Sequence, residues 1–269
     1  MDASTLSALC AQVEKVARRA GSFLLQETGR VSQEQIEEKS LNSLVSYVDR
    51  TAEEMIVSEL KALLPEADFL TEEETVDHGT DATHRWIIDP LDGTTNFLFG
   101  LPCFSVSIAL EVEGELLLGV VYEPNRQECF SAWSGGGAFL NGQAMKVRNN
   151  DQLPKALLAT GFPYYNFAQM EQYISLFQHL AQNTRGIRRW GSAAIDLAYT
   201  AAGRYDGFYE YGLNAWDIAA GIVLVREAGG IATDFAGTDG ACKKGEIVAA
   251  SSALHATLLA QVQEHMKVE

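Results

Sequence analysis

The residues best equipped for chemistry lie in one run, Trp86-Ile87-Ile88-Asp89-Pro90-Leu91-Asp92-Gly93-Thr94-Thr95-Asn96-Phe97. An apolar strand is expected to end there and to deliver Asp89 at its tip. Asp89-Pro90-Leu91-Asp92 then reads as a β-turn, since proline is pre-set for the second turn position. A turn brings its first and fourth Cα atoms within about 7 Å, so two carboxylates would face one point. Unpaired, they repel and one takes a proton. A hard divalent cation between them removes that penalty, and oxygen ligands are what Mg²⁺ prefers. The Leu91 carbonyl could add a neutral oxygen. Gly93-Thr94-Thr95 leaves the turn with backbone N–H groups, and a helix starting there would aim them at an anion. A cation beside an anion hole suits a phosphate ester. The same Asp-Pro-x-Asp-Gly run is also good surface-turn chemistry.

Three further acidic positions stand at junctions between expected elements, where loop ends gather into sites. Thr71-Glu72-Glu73-Glu74-Thr75 follows the strand-like Asp68-Phe69-Leu70 and could equally be a solvated loop. Asp217, in Trp216-Asp217-Ile218-Ala219-Ala220-Gly221, heads an apolar helix and could be its N-cap. Asp49 follows Leu44-Val45-Ser46-Tyr47-Val48 and precedes a helix, so it too could be a cap. His78, His84, His179, His255 and His265 lie outside these runs and read as structural or surface groups.

The elements that must position these residues follow from periodicity. Leu6, Leu9, Val13, Val16, Ala17, Ala20, Phe23 and Leu24 predict a helix over 5–27, stopped by Gly29. A second helix is expected over 50–63, with Pro65 ending it. Residues 85–88, 104–112, 116–122 and 128–133 read as neighbouring antiparallel strands, followed by turn chemistry at Gly135-Gly136-Gly137 and Asn141-Gly142. The second half alternates. Strands are expected over 156–160, 186–190, 205–210, 231–234 and 247–250. Helices are expected over 168–182, 192–202 with Ser192 as N-cap, 217–228 and 254–266. A soft boundary near residue 150 would separate an N-terminal helix-and-sheet subdomain (1–150) from a C-terminal α/β subdomain (151–269), tightly joined.

Composition limits the function. The 269 residues suffice for a large core, and 47% are apolar. Asp plus Glu number 36 and Lys plus Arg 20, a net charge of −16, which argues against nucleic acid and anionic membranes as partners. Cys10, Cys103, Cys129 and Cys242 lack metal or redox spacing. No signal-like start or membrane-length apolar run is visible, so a cytoplasmic location is expected.

Trp86 to Phe97 resembles the first signature of the inositol monophosphatase family, and Trp216 to Gly221 running into Glu227-Ala228-Gly229-Gly230 resembles the second. Lys39 with Leu44-Val45-Ser46 and Asp49 resembles the family's lysine and its Leu-Val-Thr…Asp element, and Thr71-Glu72-Glu73 resembles its Gly-Glu-Glu. Gly136-Gly137-Ala138, Asn141-Gly142, Thr160-Gly161-Phe162-Pro163, Gly191-Ser192-Ala193-Ala194 and Asp206-Gly207-Phe208 follow in order, so the likeness covers roughly residues 6–260.

The resemblance implies a mixed α/β fold, a layered α/β/α/β/α sandwich, and usually a homodimer inhibited by lithium. It implies that Glu72, Asp89 and the Leu91 carbonyl bind one Mg²⁺, and that Asp89, Asp92 and Asp217 bind a second. Glu72 would also share a weaker third. Asp49 and Thr94 would hold and deprotonate the attacking water, Gly93 and Thr94 N–H groups would bind the phosphate, and no covalent phospho-enzyme is needed. Glu210, Asp217 and the backbone at Ala193 and Ala194 would meet the substrate. Thr95-Asn96-Phe97 favours the inositol branch, hence myo-inositol 1-phosphate. Fructose 1,6-bisphosphate, adenosine 3′,5′-bisphosphate and histidinol phosphate are the related alternatives, and a non-catalytic phosphosugar or metal-binding regulator is the alternative of another class. Ser43, Ser46, Thr71 and Asn214 stand where the family usually has Asp, Thr, Gly and, in animal enzymes, His.

Overall fold

The computed structural model describes residues 1–40, 43–78 and 83–267, with the side chains of residues 33, 38–40 and 43 outside the description. The expectations placed on the Lys39 and Ser43 side chains therefore lie beyond it. Helix α1 (Ala3–Glu27) starts two residues before its apolar stripe suggests, because Asp2 caps it by accepting from the Thr5 N–H at 2.8 Å. A short hairpin, β1 (Glu37–Ser40) and β2 (Ser43–Val45), leads into α2 (Tyr47–Leu63). That helix begins three residues before its expected start, at the Ser46 cap. Strand β3 (Asp68–Thr71) pairs in parallel with β4 (His84–Asp92). A five-residue helix, α3 (Thr94–Leu98), follows. Then β5 (Ser105–Val112), β6 (Glu115–Glu123), β7 (Glu128–Trp133), β8 (Gly137–Leu140) and β9 (Gln143–Met145) form an antiparallel meander, completing a seven-stranded sheet in chain order. Asn141 and Gly142, both at positive φ, make the two-residue β8–β9 turn.

The β-turn expected at Asp89–Asp92 is not there. Strand β4 runs through it, with Asp89 opposite Ser107 and Asp92 opposite Ser105, so three steps on β4 oppose two on β5. This is a bulge. Pro90 has no N–H for the ladder, and the Leu91 N–H donates to Asp89 Oδ1 at 2.9 Å, so the extra residue finds its partner within its own strand.

The second half contributes β10 (Leu157–Thr160), α4 (Met170–Asn183), β11 (Gly186–Arg188), α5 (Ala193–Ala201), β12 (Gly207–Tyr211), α6 (Ala215–Glu227), β13 (Gly230–Thr233), α7 (Ala241–Lys244), β14 (Glu246–Ser251) and α8 (His255–His265). Their five-stranded sheet has the order β11-β10-β12-β14-β13, with β10 parallel to both neighbours and the remaining pairs antiparallel.

Five layers result: α1 and α2, the seven-stranded sheet, α5 and α6, the five-stranded sheet, then α4 and α8. The fold is the mixed α/β layered sandwich expected. The central layer follows from composition. All nine residues of α5 are buried, Asp196 and Thr200 included, as is the apolar run Ile218–Val225 of α6, and helices buried all round must be covered on every side. Small residues let this layer close. A Cβ on Gly119 of β6 would lie 2.5 Å from the Ala220 carbonyl of α6, and one on Gly221 would lie 2.4 Å from Leu197 of α5. Helix α6, from the second half, thus packs on the sheet of the first.

Candidate active site

Strand β4 enters the core as an apolar run, and its bulged end opens a cleft at the junction of the two halves. Glu72, Asp89, Leu91, Asp92, Gly93, Thr94, Ala193, Glu210 and Asp217 all line it. Asp89 is 1% exposed and Asp92 9%. Burial, with Glu72, Asp92 and Asp217 nearby, holds the Asp89 carboxyl well above the usual range. Burial lifts Asp92 to about 6, although the Ser192 hydroxyl (2.6 Å) and the Ala194 N–H (2.8 Å) both donate to its Oδ2. Asp217, half-buried, is pushed to about 8 by burial and by Asp92.

Asp217 is not the cap of α6. It is the third helical residue and reaches back to accept from the Asn214 N–H at 2.6 Å, while Asn214 holds the cap position. Asp49 repeats this device on α2. It is the third helical residue, 1% exposed, and its Oδ2 accepts from both the N–H and the hydroxyl of Ser46 at 2.8 Å. Its other oxygen points at Thr94, whose Oγ1 lies 3.1 Å from Asp49 Oδ1 and 3.0 Å from the Leu91 carbonyl. One hydroxyl proton thus has two acceptors within reach, and the lone pairs of Oγ1 are left to accept from a third group.

Gly93 caps α3 at φ +96°, where a side chain would lie 3.0 Å from the Cys103 carbonyl. Only glycine enters that turn without strain. The first N–H groups of α3 have no partner inside the helix, as at any helix start. Asn96 ties this start to the second half by donating to the carbonyls of Cys103 (2.7 Å) and Trp190 (2.8 Å).

Glu210 sits on β12, 6% exposed and pushed up to about 8 by burial. Gly161 makes its place, since a Cβ there would come within 2.1 Å of Glu210 Oε1. The expectation for the Ala194 N–H changes. It donates to Asp92, so Ala194 holds a carboxylate where a substrate contact was expected.

Sequence reading missed three groups. Glu53 on α2 is fully buried and accepts from the Glu73 N–H (2.8 Å), the Thr75 N–H (2.8 Å) and the Thr75 hydroxyl (2.7 Å), clamping the loop that carries Glu72. Arg189 and Asp196 also line the cleft. Nothing local marks any of the three. Glu53 reads as one more exposed helical acid until the loop closes over it.

Buried, mutually repelling carboxylates with a carbonyl beside them fit a hard divalent cation by donor chemistry. Among the described residues, no three His, Cys, Asp or Glu side chains stand as a finished ion cage, so the carboxylates share the cleft wall rather than one point.

A family model described as the inositol monophosphatase family matches residues 6–267. An inositol-1-monophosphatase of Mesorhizobium japonicum is 42% identical over 258 residues, covering 96% of this chain and 97% of that one. The Nus factor SuhB of Pseudomonas aeruginosa is 43% identical over 256 residues, 94% of each. Among solved structures, the extragenic suppressor protein suhB of Bartonella henselae overlays with a TM-score of 0.91 at 40% identity, over 96% of this chain and 100% of that one. An inositol monophosphatase from Anabaena overlays with a TM-score of 0.85 at 34% identity, over 97% of each.

Proposed function

The chain belongs to the inositol monophosphatase family, and from that premise we propose that it hydrolyses an inositol monophosphate, myo-inositol 1-phosphate, to inositol and phosphate. One observation carries the reading. Glu72, Asp89, Asp92 and Asp217 line the same cleft as Gly93 and the Thr94–Asp49 pair. Glu72, Asp89, the Leu91 carbonyl, Asp92 and Asp217 are the groups that would hold Mg²⁺. Bound there, Mg²⁺ would supply the positive charge that acidifies a water and offsets charge on the phosphoryl oxygens.

The chain's own residues do the rest. The Gly93 and Thr94 N–H groups hold the phosphate at the start of α3. Thr94 Oγ1 accepts a proton from the attacking water while its own proton passes to Asp49 Oδ1, 3.1 Å away. Burial raises the Asp49 pKa, which makes it a better proton acceptor. Glu210, Ala193 and Asp217 face the substrate's hydroxyls, and Ala194 steadies Asp92. Positioning and electrostatics supply most of the rate, as in other phosphoryl transfers. In this reading residues 1–150 bring most cation-holding groups and 151–269 complete the cleft. The homodimer, lithium inhibition and a cytoplasmic location belong to the same proposal. No helix among the described residues is long and apolar enough to cross a membrane.

Phosphate release from myo-inositol 1-phosphate, with and without Mg²⁺, tests it. Fructose 1,6-bisphosphate, adenosine 3′,5′-bisphosphate and histidinol phosphate run alongside. Fast Mg²⁺-dependent release from the inositol ester, lost in Asp92→Asn, is expected. Another ester winning would move the substrate and keep the chemistry. Relatives named Nus factor SuhB favour a second reading, a non-catalytic binding role on the same scaffold. No release from any ester, with Mg²⁺ bound, would favour it.

A further inference from the structure

We propose that His78 is a positioning residue for Glu72: its imidazole holds the backbone one residue before that carboxylate, and so sets how tightly the cleft binds a divalent cation. The inference rests on the reading of Glu72 as a cation-holding group and deepens it.

His78 lies outside every acidic run of the sequence and reads there as a structural or surface group. The fold turns it back onto the strand that precedes Glu72. Its Nε2 lies 3.1 Å from the Thr71 backbone nitrogen and 3.4 Å from the Thr71 hydroxyl. A backbone N–H can only donate, so Nε2 accepts and the ring proton sits on Nδ1. His78 comes seven residues after Thr71, so the same bond closes the loop on itself.

Topology explains why Thr71 needs this partner. Strand β3 is the edge of the seven-stranded sheet, with β4 as its neighbour. Backbone N–H groups alternate in direction along a strand. The Glu72 N–H points to β4 and donates to the Ile88 carbonyl at 3.3 Å, so the Thr71 N–H points to the open edge. Thr71 is fully buried, which leaves a side chain rather than bulk water to serve that donor. Thr71 also stands where the family usually has Gly, and its hydroxyl adds a second donor facing the same nitrogen.

Three consecutive N–H groups are therefore held. His78 holds residue 71, the Ile88 carbonyl holds 72, and Glu53 holds 73 at 2.8 Å. Glu72 sits in the middle of this run. The pairing of Thr71 with Ile88 brings it beside Asp89. Carboxylates so placed repel, and a fixed backbone keeps Glu72 at the cleft wall against that repulsion. Glu53 secures the segment after Glu72 and His78 the segment before it. His78 itself is not among the residues that line the cleft. It therefore acts through Glu72, on cation affinity, and not on the ester.

The test is a Mg²⁺ titration of the wild type, His78→Gln and His78→Leu at one fixed pH. It is read twice, by the rise in melting temperature with no ester present and by phosphate release. Gln carries an oxygen that can accept where Nε2 did, whereas Leu fills space and accepts nothing. His78→Leu should raise the Mg²⁺ half-point about tenfold in both readings, the usual worth of a group behind a metal ligand. Its kcat at saturating Mg²⁺ and its KM for the ester should change little. His78→Gln should recover most of the shift. Melts in chelator show whether each variant folds. Should His78→Leu not fold, His78→Asn replaces it, because its shorter side chain ends before the Nε2 position. An unchanged half-point in His78→Leu would overturn the inference. So would a Gln variant no better than Leu, which would make His78 a packing group. A wild type that binds Mg²⁺ and releases no phosphate would sink the phosphatase reading alone, and the melting titration would still decide this one. A melting temperature that ignores Mg²⁺ would remove both.

Discussion

Thr94 shows how one hydroxyl can serve two groups. Its Oγ1 lies between Asp49 and the Leu91 carbonyl, and Thr94→Ala removes that link without touching a carboxylate. We expect turnover to fall by about 10²–10⁴, the usual worth of a proton-transfer group. The rise in melting temperature on adding Mg²⁺ should survive, because the proposed cation-holding side chains remain. Loss of both would instead make Thr94 part of the cation site. The carboxylates make a second prediction. Asp92 is lifted to about 6 and Asp217 to about 8, against roughly 4 in an unfolded chain. Such groups bind more protons folded than unfolded, so stability falls as pH rises through that interval. In chelator, the melting temperature should drop between about pH 5 and pH 8. With saturating Mg²⁺ the drop should shrink, since a cation bound to the folded state takes over from the proton. A chelated protein that grows more stable over this range would contradict the raised pKa values.

At the scale of elements, the site depends on pieces that do not touch it. Glu53 of α2 clamps the 73–75 backbone behind Glu72 through three hydrogen bonds. Glu53→Ala should destabilise the protein by about 2 kcal/mol, since donors to a buried carboxylate lose their acceptor. The Mg²⁺ concentration for half-maximal activity should rise several-fold, with a smaller change at saturation. Titration of activity against Mg²⁺ checks this, and an unchanged half-point would show that Glu72 is held by other means. Glu227 does similar work at the far end of α6. Its two oxygens accept from the Gly135 and Gly137 N–H groups at 3.0 and 2.9 Å, which ties two glycine-containing runs far apart in sequence to each other.

At the scale of the molecule, the cleft exists because α6 of the second half lies on the sheet of the first. Gly119 sets that approach, with its absent Cβ replaced by the Ala220 carbonyl. Gly119→Ala should cost about 1–3 kcal/mol, the usual range for overpacking. Turnover should fall with stability, because Asp217 rides on the displaced helix. Denaturant unfolding together with kcat measures both, and full activity in a destabilised variant would separate the packing from the site.

The amino-acid sequence determined most of the longer elements and which residue types could meet at the site, while the β1–β2 hairpin, β8, β9 and α7 went unread. The apolar stripe of α1, the mostly apolar run of α5, the all-apolar run Ile218–Val225 of α6, and the Asn141-Gly142 turn are local signals, and the carboxylates with Gly93 and Thr94 stood in recognisable runs. The tertiary structure decided where local signals were degenerate. Asp-Pro-Leu-Asp suits a turn or a bulge equally, and pairing with β5 made it a bulge. Asp49 and Asp217 read as caps, and each instead became the third residue of its helix, because Ser46 and Asn214 took the cap positions. Glu53 and Arg189 carried no sequence signal at all. Their partners lie on separate loops, and only the packing of five layers brings a loop backbone to one and a cleft mouth to the other.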